Sequence, residues 1–294
     1  MNYAPIVVFG FNRPDALKNT ITSLLQNEEA KLSDLFVFVD GPRNGKAGEK
    51  EKVEAVKKFV KSIKGFKSLH CTFSEQNKGL ADSIIGGVSQ VINQYGKVIV
   101  LEDDLVLMPN FLNFMNQGLE KYQNEDKIFS VCGDAYKVDF PDDYEYDAYL
   151  YTRTDSWGWE LKDWDSVEKN RIAFKHFQGS DVFRMLKGWK TGENHSWAIR
   201  FCYAQFVQRR YTVLPNRSLV KNAGYGGTGT HCPEYCRYKF VYDETVGHGF
   251  KFPPVGDLDS RITNQVMHYD SLPIRIKSRL INMFFKYRHK LLCK

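Results

Sequence analysis

The sequence predicts an α/β protein in which a mostly parallel central sheet is flanked by helices on both faces. Short runs rich in Val, Ile and Phe alternate with segments whose apolar residues recur at helical spacing, and turn residues separate them. The chain has 294 residues and is 43% hydrophobic. It can therefore bury a substantial core, as one large domain or two closely fused ones.

The first two strand–helix units lie within residues 6–63. Residues 6–11 form the first predicted strand, and Pro14 suits the first turn of the helix that follows. Residues 35–39 form the second predicted strand, which ends at a turn at 40–42. The apolar residues that define the two helix faces are Leu17, Ile21, Leu24 and Leu25, then Val53, Val56, Val60 and Ile63.

Two further units complete the predicted sheet. The strands are residues 69–73 and 98–101, and the helices are 80–92 and 111–122, the last opened by Pro109. In such sheets ligands bind at the carboxyl ends of the strands. After about residue 125 the pattern is less regular and richer in aromatic residues.

The last of these strands ends in three adjacent acidic residues, Glu102, Asp103 and Asp104. Buried carboxylates are costly unless they are paired, hydrogen-bonded or bound to a metal ion. Oxygen ligands suit Mn²⁺ or Mg²⁺, and these ions in turn bind phosphates. The sequence therefore predicts a Mn²⁺ or Mg²⁺ site here, the alternative being a strand that ends in a solvated acidic turn.

Polar residues follow the carboxyl ends of the other predicted strands as well. Asn12 and Arg13 follow the first strand, Asp40 the second and Lys78 the third. Together they suit a nucleotide diphosphate, with Arg13 or Lys78 on phosphate, the acidic cluster on its metal ion and Asp40 on the base or ribose. The alternative for each residue is an ordinary polar position in a loop.

Two segments of the second half have candidate ligand-binding roles. Trp157 and Trp159 flank a glycine close to Asp155, and we predict these three as acceptor-binding residues because the rings offer a platform for a sugar. The alternative is an aromatic core cluster. Residues 224–231 are too rich in glycine for a regular element, and they predict a mobile loop that closes over a ligand or merely connects two elements.

The net charge of +6 is concentrated at the C-terminus. Residues 271–294 contain seven Lys and Arg residues and no acid, which leaves the rest of the chain at −1. A near-neutral body argues against a nucleic-acid partner. Apolar residues interleave with the cations of this tail, as in a helix that lies on an anionic membrane surface; the alternative is a basic helix docked on the protein body.

The sequence also bears on cellular location. It has no run of the roughly 18 apolar residues that a membrane span needs, and residues 1–11 lack a basic leader. We therefore expect a cytoplasmic protein, with the tail as a candidate for peripheral attachment to the inner membrane face, and reduced cysteines. A zinc site is disfavoured because the spacing of its candidate ligands matches no common pattern. Those candidates are His231, Cys232, Cys236 and His248.

Four motifs carry a resemblance to a known family. They are Phe-Asn-Arg-Pro at 11–14, Val-Asp-Gly at 39–41, Val-Leu-Glu-Asp-Asp-Leu at 100–105, and Tyr-Thr-Arg-Thr-Asp before Trp-Gly-Trp at 151–159. These motifs resemble the metal-dependent GT-A glycosyltransferases, and within them bacterial sugar transferases similar to animal N-acetylglucosaminyltransferase I. The resemblance covers residues 5–232 and implies a GT-A type fold with an aromatic-rich, acceptor-side second half.

The resemblance also implies individual roles. Asp104 would be the direct ligand of a metal ion that bridges the donor's two phosphates, while Glu102 and Asp103 would meet the sugar and ribose hydroxyls. Arg13 would contact phosphate, and Asp40 would contact the uracil ring. The predicted donor-binding residues are Asn12, Arg13, Asp40, Lys78, Glu102, Asp103 and His231, the last of which would touch phosphate or metal on loop closure.

The sequence departs from the family pattern at the catalytic base. The family has an Asp in a stretch like Asp-Ser-Trp-Ala-Ile-Arg, whereas residues 195–200 read His-Ser-Trp-Ala-Ile-Arg. His195 can accept a proton near neutral pH, and Glu193 can supply a carboxylate from two residues away. The alternative is that both lie in a surface loop without a catalytic role.

The sequence thus predicts an inverting, metal-dependent glycosyltransferase that moves a sugar from a UDP-sugar to a hydroxyl of a glycan or lipid-linked glycan, in surface polysaccharide or lipopolysaccharide biosynthesis. Residues 1–125 would form the nucleotide-sugar-binding half, 126–270 the acceptor-binding half of the same domain, and 271–294 the basic amphipathic tail. The alternatives are a sugar-phosphate nucleotidyltransferase, whose glycine-rich phosphate loop residues 8–12 match poorly, and a non-catalytic peripheral membrane adaptor.

Overall fold

The structure is a computed structural model that describes residues 2–152, 180–224 and 235–292. Its central sheet has four strands, β1 (Ile6–Gly10), β2 (Asp34–Val39), β3 (Ser68–Phe73) and β4 (Ile99–Leu101). They lie in the order β3-β2-β1-β4, and each neighbouring pair is parallel. The predicted fold class, a Rossmann-like parallel sheet flanked by helices, is confirmed and is consistent with the GT-A type.

Four helices accompany this sheet, and all four were predicted. They are α1 (Pro14–Leu24), α2 (Glu49–Lys61), α3 (Leu80–Tyr95) and α4 (Phe111–Lys121). Pro14 stands at the start of α1, where its missing N–H has no intrahelical partner to lose. Predicted and observed elements differ only at their ends, because the end of an element depends on local capping more than on hydrophobic periodicity.

Strands β1, β2 and β4 are largely buried, which explains why they are apolar runs, whereas the edge strand β3 is half-buried to exposed. Ile6 and Val8 point into a core cluster formed with α1 and α2, whereas Val7 and Phe9 point into a second cluster formed with α3. Gly87 allows α3 to approach β1 closely, because a Cβ atom there would lie 2.8 Å from a ring carbon of Phe9.

Beyond the central sheet, and mainly in the second half of the chain, the structure adds strands that the sequence did not predict. β5 (Leu105–Leu107) pairs antiparallel with β9 (Val220–Asn222). β6 (Ile128–Val131), β7 (Ala148–Tyr151) and β8 (Tyr211–Pro215) form a mixed sheet in the order β6-β8-β7. The described helices of this half are α5 (Ser180–Lys190), α6 (Trp197–Gln208), α7 (Ser260–His268) and α8 (Leu272–Leu292).

Two further predictions concern the chain as a whole. No helix within the described ranges is long and apolar enough to cross a membrane. The cysteines that the structure describes form no disulfide with one another; they are Cys71, Cys132, Cys202 and Cys236. The basic tail is helical, since α8 covers most of residues 271–294.

Candidate functional site

The loops that follow the four parallel strands meet at one edge of the central sheet, here called the carboxyl rim (residues 11–13, 40–43, 74–79 and 102–104). Parallel strands end on the same side, so residues far apart in sequence become neighbours there. The structure brings Arg13 to the acidic cluster and Asp40 to residues 77–79. The predicted gathering of polar groups on one edge is therefore present.

Arg13 joins the loop after β1 to the loop after β4. Its Nη1 donates to Asp104 Oδ2 at 3.0 Å, its Nε donates to Asp103 Oδ2 at 3.3 Å, and its Nη2 donates to Asp103 Oδ1. The side chains are 38% exposed for Arg13, 6% for Asp103 and 16% for Asp104. Asp103 is thus buried and paired through both oxygens, whereas Asp104 keeps some contact with solvent. The sequence did not predict this pairing, and the phosphate contact of Arg13 stays a prediction.

Negative charge exceeds positive charge in this cluster, because three carboxylates face the Arg13 guanidinium. Burial, followed by repulsion from Asp104 and Asp103, raises the pKa of Glu102 to about 7. Burial also raises the pKa of Asp103 to about 6, although the pairing with Arg13 opposes that rise. Burial lowers the pKa of Arg13, but attraction by Asp103 and Asp104 outweighs it and the pKa is raised. A second cation would relieve this imbalance.

Glu102 also contacts helix α6. The indole N–H of Trp197, the first residue of α6, donates to the Glu102 carboxylate. Trp197 is 9% exposed and packs in the same core cluster as Phe9 and Ile84, so the position of its ring is set by the central sheet. The start of α6 therefore lies beside the acidic cluster, a contact that sequence spacing alone does not reveal.

The two candidates for the catalytic base lie in the exposed loop before α6. The backbone N–H of Glu193 donates to the carbonyl oxygen of Gly188 at 2.8 Å, and its carboxylate Oε2 lies 3.5 Å from the position of a Cβ at Gly188. Asn194 donates to the Met185 carbonyl at 2.9 Å. Glu193 is thus turned toward α5, whereas His195 is two residues from the Trp197 that contacts Glu102.

Asp40 ties the loop after β3 to the end of β2. Its Oδ1 accepts from the backbone N–H groups of Gly41 and Lys78, and its Oδ2 accepts from the Asn77 side chain and the Gly79 N–H, each at 2.9 Å. Asp40 is 7% exposed, whereas Lys78 is exposed. Asp40 therefore positions the loop that presents Lys78, and its own contact with a base or ribose stays a prediction.

Sequence reasoning missed a second ion pair on the rim, between Arg43 and Glu49. Arg43 Nη2 lies 2.5 Å from Glu49 Oε1, and the Arg43 backbone N–H donates to Glu49 Oε2 at 2.7 Å. The Asn12 side chain donates to the same carboxylate at 3.1 Å, and the Arg43 guanidinium lies 5.6 Å from the centre of the Phe11 ring. Hydrogen bonding by Arg43 lowers the pKa of Glu49 to about 2, although burial opposes this. Asn12, predicted to bind the donor, thus holds Glu49.

A cavity of about 240 Å³ lies next to the acidic cluster. Its walls include Arg13, Asn19, Asp104, Val106 and Gly224. A larger cavity of about 500 Å³ lies at the β3 edge, and none of its described lining residues is Asp, Glu, Lys or Arg. A nucleotide-sugar carries charged phosphates, so the smaller cavity is the better candidate although its volume suits only part of such a ligand.

Asp104 is the carboxylate best placed to hold a divalent cation. It lines the cavity and is more exposed than Asp103, whose oxygens are both paired with Arg13. Within the described part of the chain, no group of three or more His, Cys, Asp or Glu residues is arranged to hold a metal ion. These residues fit an ion that takes most of its oxygen ligands from a phosphate-bearing substrate and water, as Mg²⁺ commonly does.

The remaining predicted site residues lie outside the described residues. These are the acceptor-binding candidates Asp155, Trp157 and Trp159, and the donor-binding candidate His231. Their roles stay predictions.

No protein-family model and no curated protein sequence matches the chain. Among solved structures, the crystal structure of TarS from S. aureus matches with a TM-score of 0.40 and 9% identity, over 77% of this chain and 37% of that one. The chain thus spans just over a third of the length of that protein. A likeness at this level carries no conclusion about the activity of this chain.

Proposed function

We propose that this chain is a glycosyltransferase that binds a nucleotide-sugar at the carboxyl rim together with Mn²⁺ or Mg²⁺. The observation that carries the proposal is the excess negative charge of the cluster at 102–104, which borders a cavity and faces Arg13. Excess carboxylate charge favours a hard divalent cation, and such a cation favours the diphosphate of a nucleotide-sugar. A UDP-sugar and an inverting reaction are proposed from the motif resemblance.

Asp104 and Arg13 would bind different parts of the metal–diphosphate group. Asp104 would hold the cation through Oδ1, since its Oδ2 accepts from Arg13 Nη1. Arg13 uses one N–H of each guanidinium nitrogen on Asp103 and Asp104, so the second N–H of Nη1 and of Nη2 can donate to a phosphate oxygen. When bound, the cation would act as a Lewis acid that offsets the charge developing on the departing nucleotide diphosphate.

Glu102 and Asp103 are proposed to meet the hydroxyl groups of the donor sugar and ribose. Trp197 fixes one side of Glu102, and Arg13 fixes both oxygens of Asp103. A carboxylate held in this way loses little further conformational entropy when it accepts a hydroxyl hydrogen bond. The two residues would therefore contribute to donor affinity and orientation more than to proton transfer.

We favour His195 over Glu193 as the general base. The acceptor hydroxyl would attack the anomeric carbon, the bond to the diphosphate oxygen would break, and His195 would take the hydroxyl proton. The support is its position two residues from Trp197, together with the turn of Glu193 toward Gly188. His195→Ala should lower kcat at least about 100-fold, as loss of a general base does, while Glu193→Gln should change it little. The reverse pattern would transfer the role to Glu193.

The acceptor is proposed to be a growing surface glycan, such as the sugar chain of a lipopolysaccharide or capsule precursor. The support is indirect: a basic, amphipathic helix on the same chain would bring the site to a lipid-linked substrate.

Release of nucleotide diphosphate from a panel of UDP-sugars, with Mn²⁺ or with chelator, tests the function. We expect metal-dependent release from at least one donor, loss of that release in Asp104→Ala, and full activity in Asp126→Ala, a matched change at an exposed acid outside the rim. Incubation with a sugar phosphate and a nucleoside triphosphate tests the rival nucleotidyltransferase reaction. Pyrophosphate release there, without turnover of any UDP-sugar, would overturn the proposal, and failure of every nucleotide-sugar to bind would favour the adaptor.

A further inference from the structure

Helix α8 presents a row of apolar side chains to solvent. Its six large apolar residues that are 49–66% exposed, here called the α8 stripe, are Leu272, Ile276, Leu280, Met283, Phe284 and Tyr287. At 3.6 residues per turn they fall within a sector of about 120°. Single exposed apolar residues are ordinary, but a contiguous patch of this kind marks an interaction surface.

The opposite face of α8 attaches the helix to the protein. Ser278 is 7% exposed. The side chain of Asn282 bonds both backbone groups of Tyr235, accepting from its N–H at 3.0 Å and donating to its carbonyl at 3.1 Å. The two hypotheses for the basic tail are therefore compatible, because the helix docks through the face that carries Ser278 and Asn282 and still exposes the α8 stripe.

The charges around the α8 stripe indicate which kind of partner it binds. Residues 271–294 contain seven Lys and Arg residues and no acid. Helical geometry places Lys277 beside one edge of the stripe and Arg279 beside the other. A second copy of the chain would bring the same positive charges together across a symmetric interface, whereas anionic lipid headgroups would neutralise them.

We propose that the α8 stripe is a membrane-binding surface that inserts into the headgroup region of a bilayer rich in anionic lipid, with the protein body on the aqueous side. The apolar sector would face the acyl chains, and the flanking cations would lie at the level of the lipid phosphates. The inference does not rest on the proposed sugar transfer, because vesicle binding needs neither donor nor acceptor.

Cosedimentation of the full chain with vesicles tests the apolar part of the proposal. The wild type should bind vesicles of phosphatidylcholine and phosphatidylglycerol, and should bind pure phosphatidylcholine far less. Leu280→Gln with Phe284→Gln, a pair that keeps helix propensity, should lower the partition coefficient at least about 100-fold because two large apolar side chains no longer insert. Val246→Gln, a matched change at a 63% exposed apolar residue elsewhere, should leave binding unchanged.

A second pair of substitutions tests the contribution of the basic residues to vesicle binding. Lys277→Gln with Lys286→Gln should lower binding to anionic vesicles about 30-fold, since each cation near such a surface contributes about fivefold. Lys46→Gln with Lys64→Gln, at exposed positions away from α8, should not lower it. The proposal fails if the wild type does not bind anionic vesicles or if the stripe variant binds as well as the wild type. A dimer that the stripe variant dissociates, without vesicle binding, would assign the stripe to a second copy instead.

Discussion

The carboxyl rim holds two arginine–carboxylate clusters with opposite electrostatics. At the first, Arg43 faces Glu49, positive and negative charge match, and hydrogen bonding lowers the pKa of Glu49 to about 2. At the second, Arg13 faces three carboxylates, and burial with mutual repulsion raises the pKa of Glu102 to about 7 and that of Asp103 to about 6. The charges of the Arg43 cluster balance, whereas the Arg13 cluster has excess negative charge that a bound cation would neutralise.

This difference indicates that the Arg43–Glu49 pair stabilises the fold, whereas the Arg13 cluster is suited to binding a ligand. The Arg43–Glu49 pair, with Asn12 as a further donor, joins the loops after β1 and β2. The Arg13 cluster also joins two loops, but its excess of carboxylates is costlier than a fold requires. A protein that keeps such a cluster beside a cavity has a group suited to binding a cationic ligand.

The two clusters should differ most in how much the free energy of unfolding falls when the arginine is replaced. Arg13→Met should lower the free energy of unfolding by about 2 to 3 kcal/mol at pH 8, because buried Asp103 loses its partner; partial exposure of Arg13 limits the loss. Arg43→Met should lower it less, since Asn12 and the Arg43 backbone still donate to Glu49. Urea denaturation measures both, and equal losses would remove the distinction.

The pH dependence of stability should have opposite sign at the two clusters. Glu102 has its pKa raised from 4.5 to about 7, so the folded state holds this proton more tightly and stability falls as pH rises through that range. Glu102→Gln cannot ionise and should be more stable than the wild type by about 2 kcal/mol at pH 8, with no gain at pH 4. Urea denaturation with chelator at both pH values measures this difference.

Glu49 should behave in the reverse way. Its pKa is lowered from 4.5 to about 2, so its contribution is present above pH 4.5 and is lost as pH falls toward 2. Glu49→Gln should therefore be less stable than the wild type at pH 8, and the gap should close in acid. A gap of the same sign for both variants at pH 8 would contradict the comparison.

Two glycine substitutions test how tightly the loop after β3 packs against the rim. A Cβ at Gly41 would lie 2.5 Å from the carbonyl carbon of Gln76, so Gly41→Ala should push the loop after β3 away from Asp40 and cost about 1 to 2 kcal/mol. Gly86 is exposed on α3 with nothing near its Cβ position, and Gly86→Ala should be neutral or stabilising by up to about 1 kcal/mol. Thermal unfolding of both variants gives the comparison, and a neutral Gly41→Ala would show that the loop is not held there.

The four parallel strands and the four helices of the first 125 residues were predictable because each leaves a local pattern. Strands β1, β2 and β4 are largely buried apolar runs, the helices have one apolar face, and parallel strands must end at a common edge. That logic placed Arg13, Asp40 and the acidic cluster on the rim. The strands that were not predicted depend on pairing between distant segments, such as β5 with β9, and periodicity within a segment does not encode a partner.

Individual contacts within the site could not be predicted either, because they also join segments that are distant in sequence. Nothing in the spacing of Arg43 and Glu49 shows that the loop folds back, and nothing near Trp197 shows that its indole reaches Glu102. The Glu-Asp-Asp motif predicts which residues bind a ligand, but only the packed structure shows that Asp103 is paired through both oxygens while Asp104 lines the cavity.

Calorimetric titration of UDP into the protein, with and without Mn²⁺, tests the central claim that the Arg13 cluster is a cation-dependent diphosphate site. The account expects binding that requires Mn²⁺, is lost in Asp104→Asn, and persists in Glu49→Gln, a matched change in the neighbouring cluster. If Asp104→Asn bound UDP with the same affinity and the same Mn²⁺ dependence as the wild type, the acidic cluster would not be the metal site and the claim would be wrong.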